Sequence, residues 1–258
     1  TGSRWVVPSK FREAGIRRVM LTMVAFAHCL LSLQVSAQLG GSFPWQSELY
    51  TDHELIGRIW DSRRGQFVTD KELWDTLLES SYVLLGEKHD NPDHHALQLR
   101  VLQALINADN VDKLTMEMLD NTASENLDAF LETRFESEEA LKSFLNWDDQ
   151  GWNWAYYGGL IQAAHRANVP VSAGNLDAET VMQVYSSPTT AEIEAVLDAE
   201  VMSRLLADID ESHCGLLPES QFPPMVRVQQ TRDHTMARSL LLDEGKSHGL
   251  AVLITGNY

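Results

Sequence analysis

Residues 81–95 read SYVLLGEKHDNPDHH, and this stretch decides the fold. Tyr82-Val83-Leu84-Leu85 is a short apolar run of the kind that forms a buried parallel strand. It ends at Gly86, and Glu87, His89, Asp90, Asp93, His94 and His95 follow at once. Asn91-Pro92 reads as a helix N-cap with proline at the first helical position. Ala96, Leu97, Leu99, Val101, Leu102, Leu105 and Ile106 then continue at helical spacing. A carboxylate and an imidazole therefore sit in a strand-to-helix loop. In parallel α/β sheets ligands bind there, at the carboxyl ends of strands. Dense ionisable groups in such a loop point the same way, against the plainer reading of a polar loop with a well-made cap. His94 and His95, already in the helix, are expected to lie too far round it to join the site.

Outward from this unit the chain alternates strand and helix. Upstream, residues 53–60 and 65–68 flank Asp61-Ser62-Arg63-Arg64 and predict a hairpin at an antiparallel edge of the sheet. Thr69 and Glu72 form a capping box that opens a helix over 70–79. Downstream, residues 113–118 (KLTMEM) predict the second strand. Glu117 near its end is a carboxylate in an apolar run, which costs several kcal/mol to bury without a partner. The spacing places it beside Glu87 and His89 on one sheet edge.

Thr122 with Glu125 predicts a further capping box and helix, and Ser137 caps another to about 145. Residues 146–157 (NWDDQGWNWAYY) hold Trp147, Trp152, Trp154, Tyr156 and Tyr157, far above the 8% aromatic average of the chain. Such a cluster either packs a core or supplies a flat wall for a planar ligand, and a tyrosine can ligate haem iron. A helix over 155–167 leads to a third strand at 169–173 and to Asn175 just beyond it. Asp177 caps a helix to about 185, residues 189–209 predict a long amphipathic helix, and 225–242 another that carries Arg232. Residues 250–255 form the fourth core strand. The predicted fold is α/β: a mainly parallel central sheet flanked by helices, with an N-terminal edge hairpin and a helical insertion.

The first 37 residues differ from the rest. Arg17 and Arg18 precede an apolar run, Val19 to Leu33, and Val35-Ser36-Ala37 offers a small-residue exit before Gln38. This is the pattern of a secretory signal peptide, and the run is short for a membrane span. Gln38 to Ser47 reads as a linker, and residues 38–258 as a single α/β domain. The orphan start at Thr1 and a last strand with no helix after it predict a chain truncated at its C-terminus.

The full chain carries 20 basic and 37 acidic side chains, net −17. Removing residues 1–37 subtracts five basic groups and one acidic group, leaving 15 against 36, net −21. That argues against nucleic acid and against an anionic membrane surface as partner. Cys214 is the one cysteine left, so an internal disulfide and a cysteine-rich metal site are excluded.

Five segments in order carry a resemblance over about residues 49–258: LLGEKHDNPDHHALQLRVLQAL (84–105), MEM (116–118), WNWAYYGGLIQAAHRANVPVSAGN (152–175), RDHTMARSL (232–240) and LITGN (253–257). Together they resemble the ChaN-like haem-binding uptake proteins of the Tiki superfamily. After the last segment that family continues with a histidine, where this sequence has Tyr258. The resemblance implies an exported protein of the periplasm or outer membrane of a Gram-negative-type bacterium, which holds haem and serves iron uptake. It implies a homodimer with haems face to face, envelope transport components as partners, and a tyrosine on the iron. By the W-x-x-Y spacing from Trp154, Tyr157 is the first ligand candidate and Tyr156 the second. Trp154, Glu87, His89, Asn175 and Arg232 complete the expected haem-binding set, with Arg232 for the propionates. The alternative is a metal-dependent hydrolase, esterase or peptidase, with zinc or manganese on Glu87, His89 and Glu117. A serine nucleophile elbow and an HExxH motif are both missing from the sequence, which weakens that alternative.

Overall fold

A computed structural model describes residues 43–187, 197–242 and 249–256. The segment read as a signal peptide, the first ten residues of the long helix expected from 189, and Asn257-Tyr258 lie wholly or mainly outside the described residues.

Two short strands, β1 (Ile59–Asp61) and β2 (Gln66–Val68), pair antiparallel about the polar turn that the sequence marks. Trp60 and Phe67 pack edge to face across the pair, and the Arg58 guanidinium lies 3.8 Å from the Phe67 ring centre. The hairpin forms a two-stranded sheet of its own; it does not extend the main sheet. Helix α1 (Asp70–Glu79) starts at the expected capping box, where Thr69 and Glu72 satisfy each other's backbone N–H.

The main sheet is wholly parallel. Its strands are β3 (Tyr82–Glu87), β4 (Val111–Met116), β5 (Val171–Ala173) and β6 (Leu250–Gly256), in the order β3-β6-β4-β5. Helix α2 (Pro92–Asn107) joins β3 to β4. Three helices, α3 (Asn121–Leu127), α4 (Glu138–Phe144) and α5 (Trp154–Arg166), join β4 to β5. Among the described residues α6 (Ala178–Ser186), α7 (Ala199–Ser212) and α8 (Phe222–Leu240) lead to β6, which returns to the middle of the sheet. This is the strand and helix order that the sequence predicts.

The alternation of β6 shows why three layers form. Leu250, Val252 and Ile254 join the larger core with Leu102 and Leu105 of α2 and Leu160 and Ile161 of α5. Ala251 and Leu253 face the other way and pack on Met236 and Leu240 of α8. A central parallel strand is thereby buried on both faces, as its continuous apolar run requires. From β4, Thr115 Oγ1 and Lys113 Nζ donate to the carbonyls of Ser239 and Leu241, which satisfies groups that the end of α8 leaves open.

Three local expectations change. Residues 82–85 were expected to be fully buried, but β3 is an edge strand: Val83 is buried while Tyr82 and Leu84 are exposed. Helix α3 is capped by Asp120, whose carboxylate accepts from Thr122 N, rather than by Thr122. The end of the expected linker is fixed. Gln46 N and Ser47 N donate to the two carboxylate oxygens of buried Asp93 at 2.7 and 3.0 Å. Among the described residues no helix is long and apolar enough to cross a membrane.

Candidate functional site

The parallel register brings the strand ends together. Glu87, the last residue of β3, pairs with Gly256 of β6, and Glu117 N donates to Ile254 O on the other flank of the same strand. Glu87 is only 2% exposed, so its carboxylate must find partners inside the protein. It finds three rings. Tyr157 Oη donates to Oε1 at 2.6 Å, and His89 Nδ1 lies 2.8 Å from the same oxygen. His95 Nδ1 stands 3.0 Å from Oε2, in an approach too oblique for a hydrogen bond. His95 Nε2 is 3.1 Å from the His89 carbonyl, which it meets as donor.

His95 reaches the strand end because helical side chains tilt towards the N-terminus. With Asn91 as cap and Pro92 at the first position, residue 95 overlies the first turn. The sequence reading that kept His95 out of the site is corrected on this ground. His94 takes another role: its Nδ1 accepts from Lys88 N at 2.9 Å and closes the turn.

Electrostatics follow this geometry. Burial pushes the Glu87 carboxyl up, but the contacts from His89, His95 and Tyr157, with the His95 charge, hold it down at about 2. The bond to Glu87 raises His89 above its ordinary value, against the effect of burial. Burial, and donation to Glu87, raise the Tyr157 phenol well above the usual tyrosine range.

Helix α5 supplies the aromatic side. Asn153 caps it, accepting from Ala155 N at 3.0 Å. Trp154 at its start is buried edge-on against Trp147 at 5.0 Å. The indole lies flat over the next turn because residue 158 is glycine: a Cβ there would come within 2.4 Å of it. Tyr157 faces inward at 1% exposure. Tyr156 faces outward and stacks on His95, with ring centres 4.2 Å apart and planes 11° from parallel. Its hydroxyl makes no hydrogen bond with the described residues.

Beside these rings opens a cleft of about 1060 Å³, at the upper end of small-molecule sites. His89, Trp154, Tyr156 and Gly159 line one side, and Lys142, Asn153 and Gln162 contribute polar groups. Lys142 pairs with Asp149 at 2.7 Å and sits 5.8 Å from the Trp154 ring centre. The sequence reading passed over Lys142, since a lone lysine in an exposed helix gives no signal.

Glu117 lies near the cluster, where its charge adds to the raising of His89 and Tyr157, but its own bonds go to β6: Oε2 accepts from Thr255 Oγ1 at 2.9 Å and from Gly256 N at 2.6 Å. It locks the end of β6 and does not line the cleft. Asn175 holds its own turn, accepting from Leu176 N and donating its backbone N–H to Leu119 O. Arg232 is half-buried on α8, with Nε unbonded among the described residues, and it too is apart from the cleft. Among the described residues no three His, Cys, Asp or Glu side chains converge as a metal site. The expected Glu87, His89 and Glu117 set is therefore not assembled.

A cleft at the carboxyl end of a parallel sheet, with His89, Trp154 and Tyr156 on its wall beside a buried carboxylate, has the place and form of a small-molecule site on an α/β fold. The sequence places it further: the chain belongs to the family described as haem-binding uptake, Tiki superfamily, ChaN, whose model matches residues 73–258. It is similar to a solved structure that describes cofacial heme binding to ChaN of Campylobacter jejuni. That match has 25% identity, covers 77% of this chain and 79% of that one, and has a TM-score of 0.64. The type III effector HopBA1 is matched at 18% identity over 71% of this chain and 70% of that one, with a TM-score of 0.34, too low to argue from. No curated protein matches the chain.

Proposed function

We propose that this protein binds haem in the cleft beside α5, with Tyr156 as the iron ligand. One observation carries the choice of residue. Tyr156 presents its ring at the cleft, whereas the neighbouring phenol of Tyr157 is buried and donates to Glu87. An axial tyrosine must offer its oxygen to the metal, and Tyr157 would have to give up a 2.6 Å bond to a buried carboxylate to do so.

The residues present fit the group. The cleft is large enough for a porphyrin, its wall is partly aromatic, and Lys142, paired with Asp149, is the cation on a lining that also carries Asp90 and Glu138. The chemistry haem would supply there is that of a ligated iron centre. The chain's own residues orient the ring, exclude water from one face and neutralise charge.

Family membership and the ChaN-like fold support the reading. The cleft is open on one side, which suits a second copy of the chain closing over the ligand. Export to the periplasm or outer membrane, a role in iron uptake and docking to envelope transport components complete the proposal; they rest on the N-terminal charge and apolar pattern and on the family description. The metal-dependent hydrolase alternative gains no support from the geometry, because Glu117 is held by Thr255 and Gly256.

The test is a haem titration of the full chain, followed by the Soret band, with sedimentation at each step. Saturable binding that raises the sedimentation coefficient is expected. A Soret band that never departs from that of free haem would contradict the proposal.

A further inference from the structure

Three rings meet around one carboxylate and a fourth, Tyr156, stacks on one of them; two of the four reach the cleft. Tyr157 and His95 are buried, while His89 and Tyr156 line the opening. Each cleft ring is held from behind. His89 is held directly, by Nδ1 against Glu87 Oε1 at 2.8 Å. Tyr156 is held through His95, whose face supports it at 4.2 Å in near-parallel planes. His95 is in turn held by its hydrogen bond to the His89 carbonyl at 3.1 Å, with its Nδ1 facing Glu87 Oε2 at 3.0 Å.

We infer that Glu87 is the positioning residue of the ligand face: through His95 it sets the plane of Tyr156, and through Nδ1 it sets the orientation of His89. The inference rests on the haem reading with Tyr156 at the iron. Glu87 itself touches no ligand, being closed off beneath the rings.

A carboxylate suits this place. Oε1 meets both the Tyr157 hydroxyl and His89 Nδ1, and Oε2 stands 3.0 Å from His95 Nδ1, so one negative side chain faces all three rings. A glutamine of the same shape keeps one accepting oxygen but loses the negative charge that faces His89 and His95. The bond to His89 Nδ1 also fixes the tautomer: the proton sits on Nδ1, and Nε2 becomes the accepting atom of the neutral ring. Supporting groups behind a metal ligand commonly govern affinity by 10–100-fold, and Glu87 stands in that relation to Tyr156.

The test compares Glu87→Gln with the unaltered chain, first without haem and then with it. In the apo protein, nuclear Overhauser contacts between the His95 and Tyr156 rings are expected to be strong in the parent and weak in the variant, with far-UV circular dichroism unchanged. With haem, the variant is expected to bind about 10–100-fold more weakly and to lose the tyrosinate signature. Ring contacts of equal strength in both apo proteins would overturn the inference. If Glu87→Gln does not fold, His95→Phe decides, since it keeps a ring at 95 and cuts its tie to Glu87. Persistent, parent-like contacts between ring 95 and Tyr156 in that variant would likewise overturn it. A parent that fails to bind haem sinks the haem reading alone, because the apo ring contacts report on Glu87 independently.

Discussion

The phenol of Tyr157 donates to Oε1 of Glu87 at 2.6 Å, across 70 residues of sequence. This bond ties α5 to the end of β3 and separates the roles of two adjacent tyrosines. Residue 157 belongs to the interior; residue 156, about 100° further round the helix, belongs to the cleft.

The Glu87 cluster makes stability depend on pH in the acid range. The Glu87 carboxyl is held at about 2, against an ordinary value of 4.5. A carboxylate with a lowered folded-state value stabilises fully above 4.5, and its contribution disappears as pH falls from 4.5 to about 2. The size is on the order of 3 kcal/mol. The raised value of His89 expresses the same bond and is not a second contribution. Urea unfolding at pH 7, 4 and 2.5 is expected to show the gap between the parent and Glu87→Gln closing as pH falls. A gap independent of pH would contradict this.

Asp93 is expected to govern the order of the segment that precedes the fold. Its two oxygens accept from Gln46 N and Ser47 N, and it is 5% exposed. Asp93→Ala should cost about 2 kcal/mol, from two lost bonds to a charged acceptor. Amide exchange at Gln46 and Ser47 should accelerate well beyond that of the sheet. Unchanged protection at those two amides would show that other contacts of the segment, such as Phe43 against Trp45 at 4.6 Å between ring centres, suffice.

Gly158→Ala should destabilise the protein although alanine favours a helix by about 1 kcal/mol. The added Cβ would stand 2.4 Å from the Trp154 indole, which is itself packed against Trp147. Overpacking of this kind costs about 1–3 kcal/mol, so a lower melting temperature is predicted. An unchanged or higher one would mean that the indole shifts freely.

Lys142→Ala should weaken haem binding without changing the iron ligand. Its ammonium lines the cleft above Trp154 and is shared with Asp149. The variant should therefore raise the dissociation constant and leave the tyrosinate spectrum in place. Equal affinity would remove Lys142 from the ligand face.

Much of the fold was legible because it rests on local signals. The capping box at Thr69, the Asn91-Pro92 helix start and the continuous apolar run of β6 each mark their elements. The order of strands in space was not legible, since β6 enters between β3 and β4 from more than 130 residues away. That insertion is why β3 became an edge and why Glu117 met Thr255 instead of Glu87. Within the site, Glu87 and His89 declared themselves by their place after a strand. The inclusion of His95 depends on the backward tilt of helical side chains. The division between Tyr156 and Tyr157 depends on the rotation of α5 about its axis, which a W-x-x-Y spacing cannot fix.

The most direct test of the account is a haem titration of Tyr156→Phe beside Tyr157→Phe, read by the Soret band and by the high-spin signal of a tyrosinate-ligated iron. Tyr156→Phe is expected to lose the tyrosinate signature and most of its affinity. Tyr157→Phe should keep both while losing about 1–3 kcal/mol of stability from the broken bond to Glu87. The reverse pattern, with the signature lost only in Tyr157→Phe, would contradict it and place the iron against the interior residue.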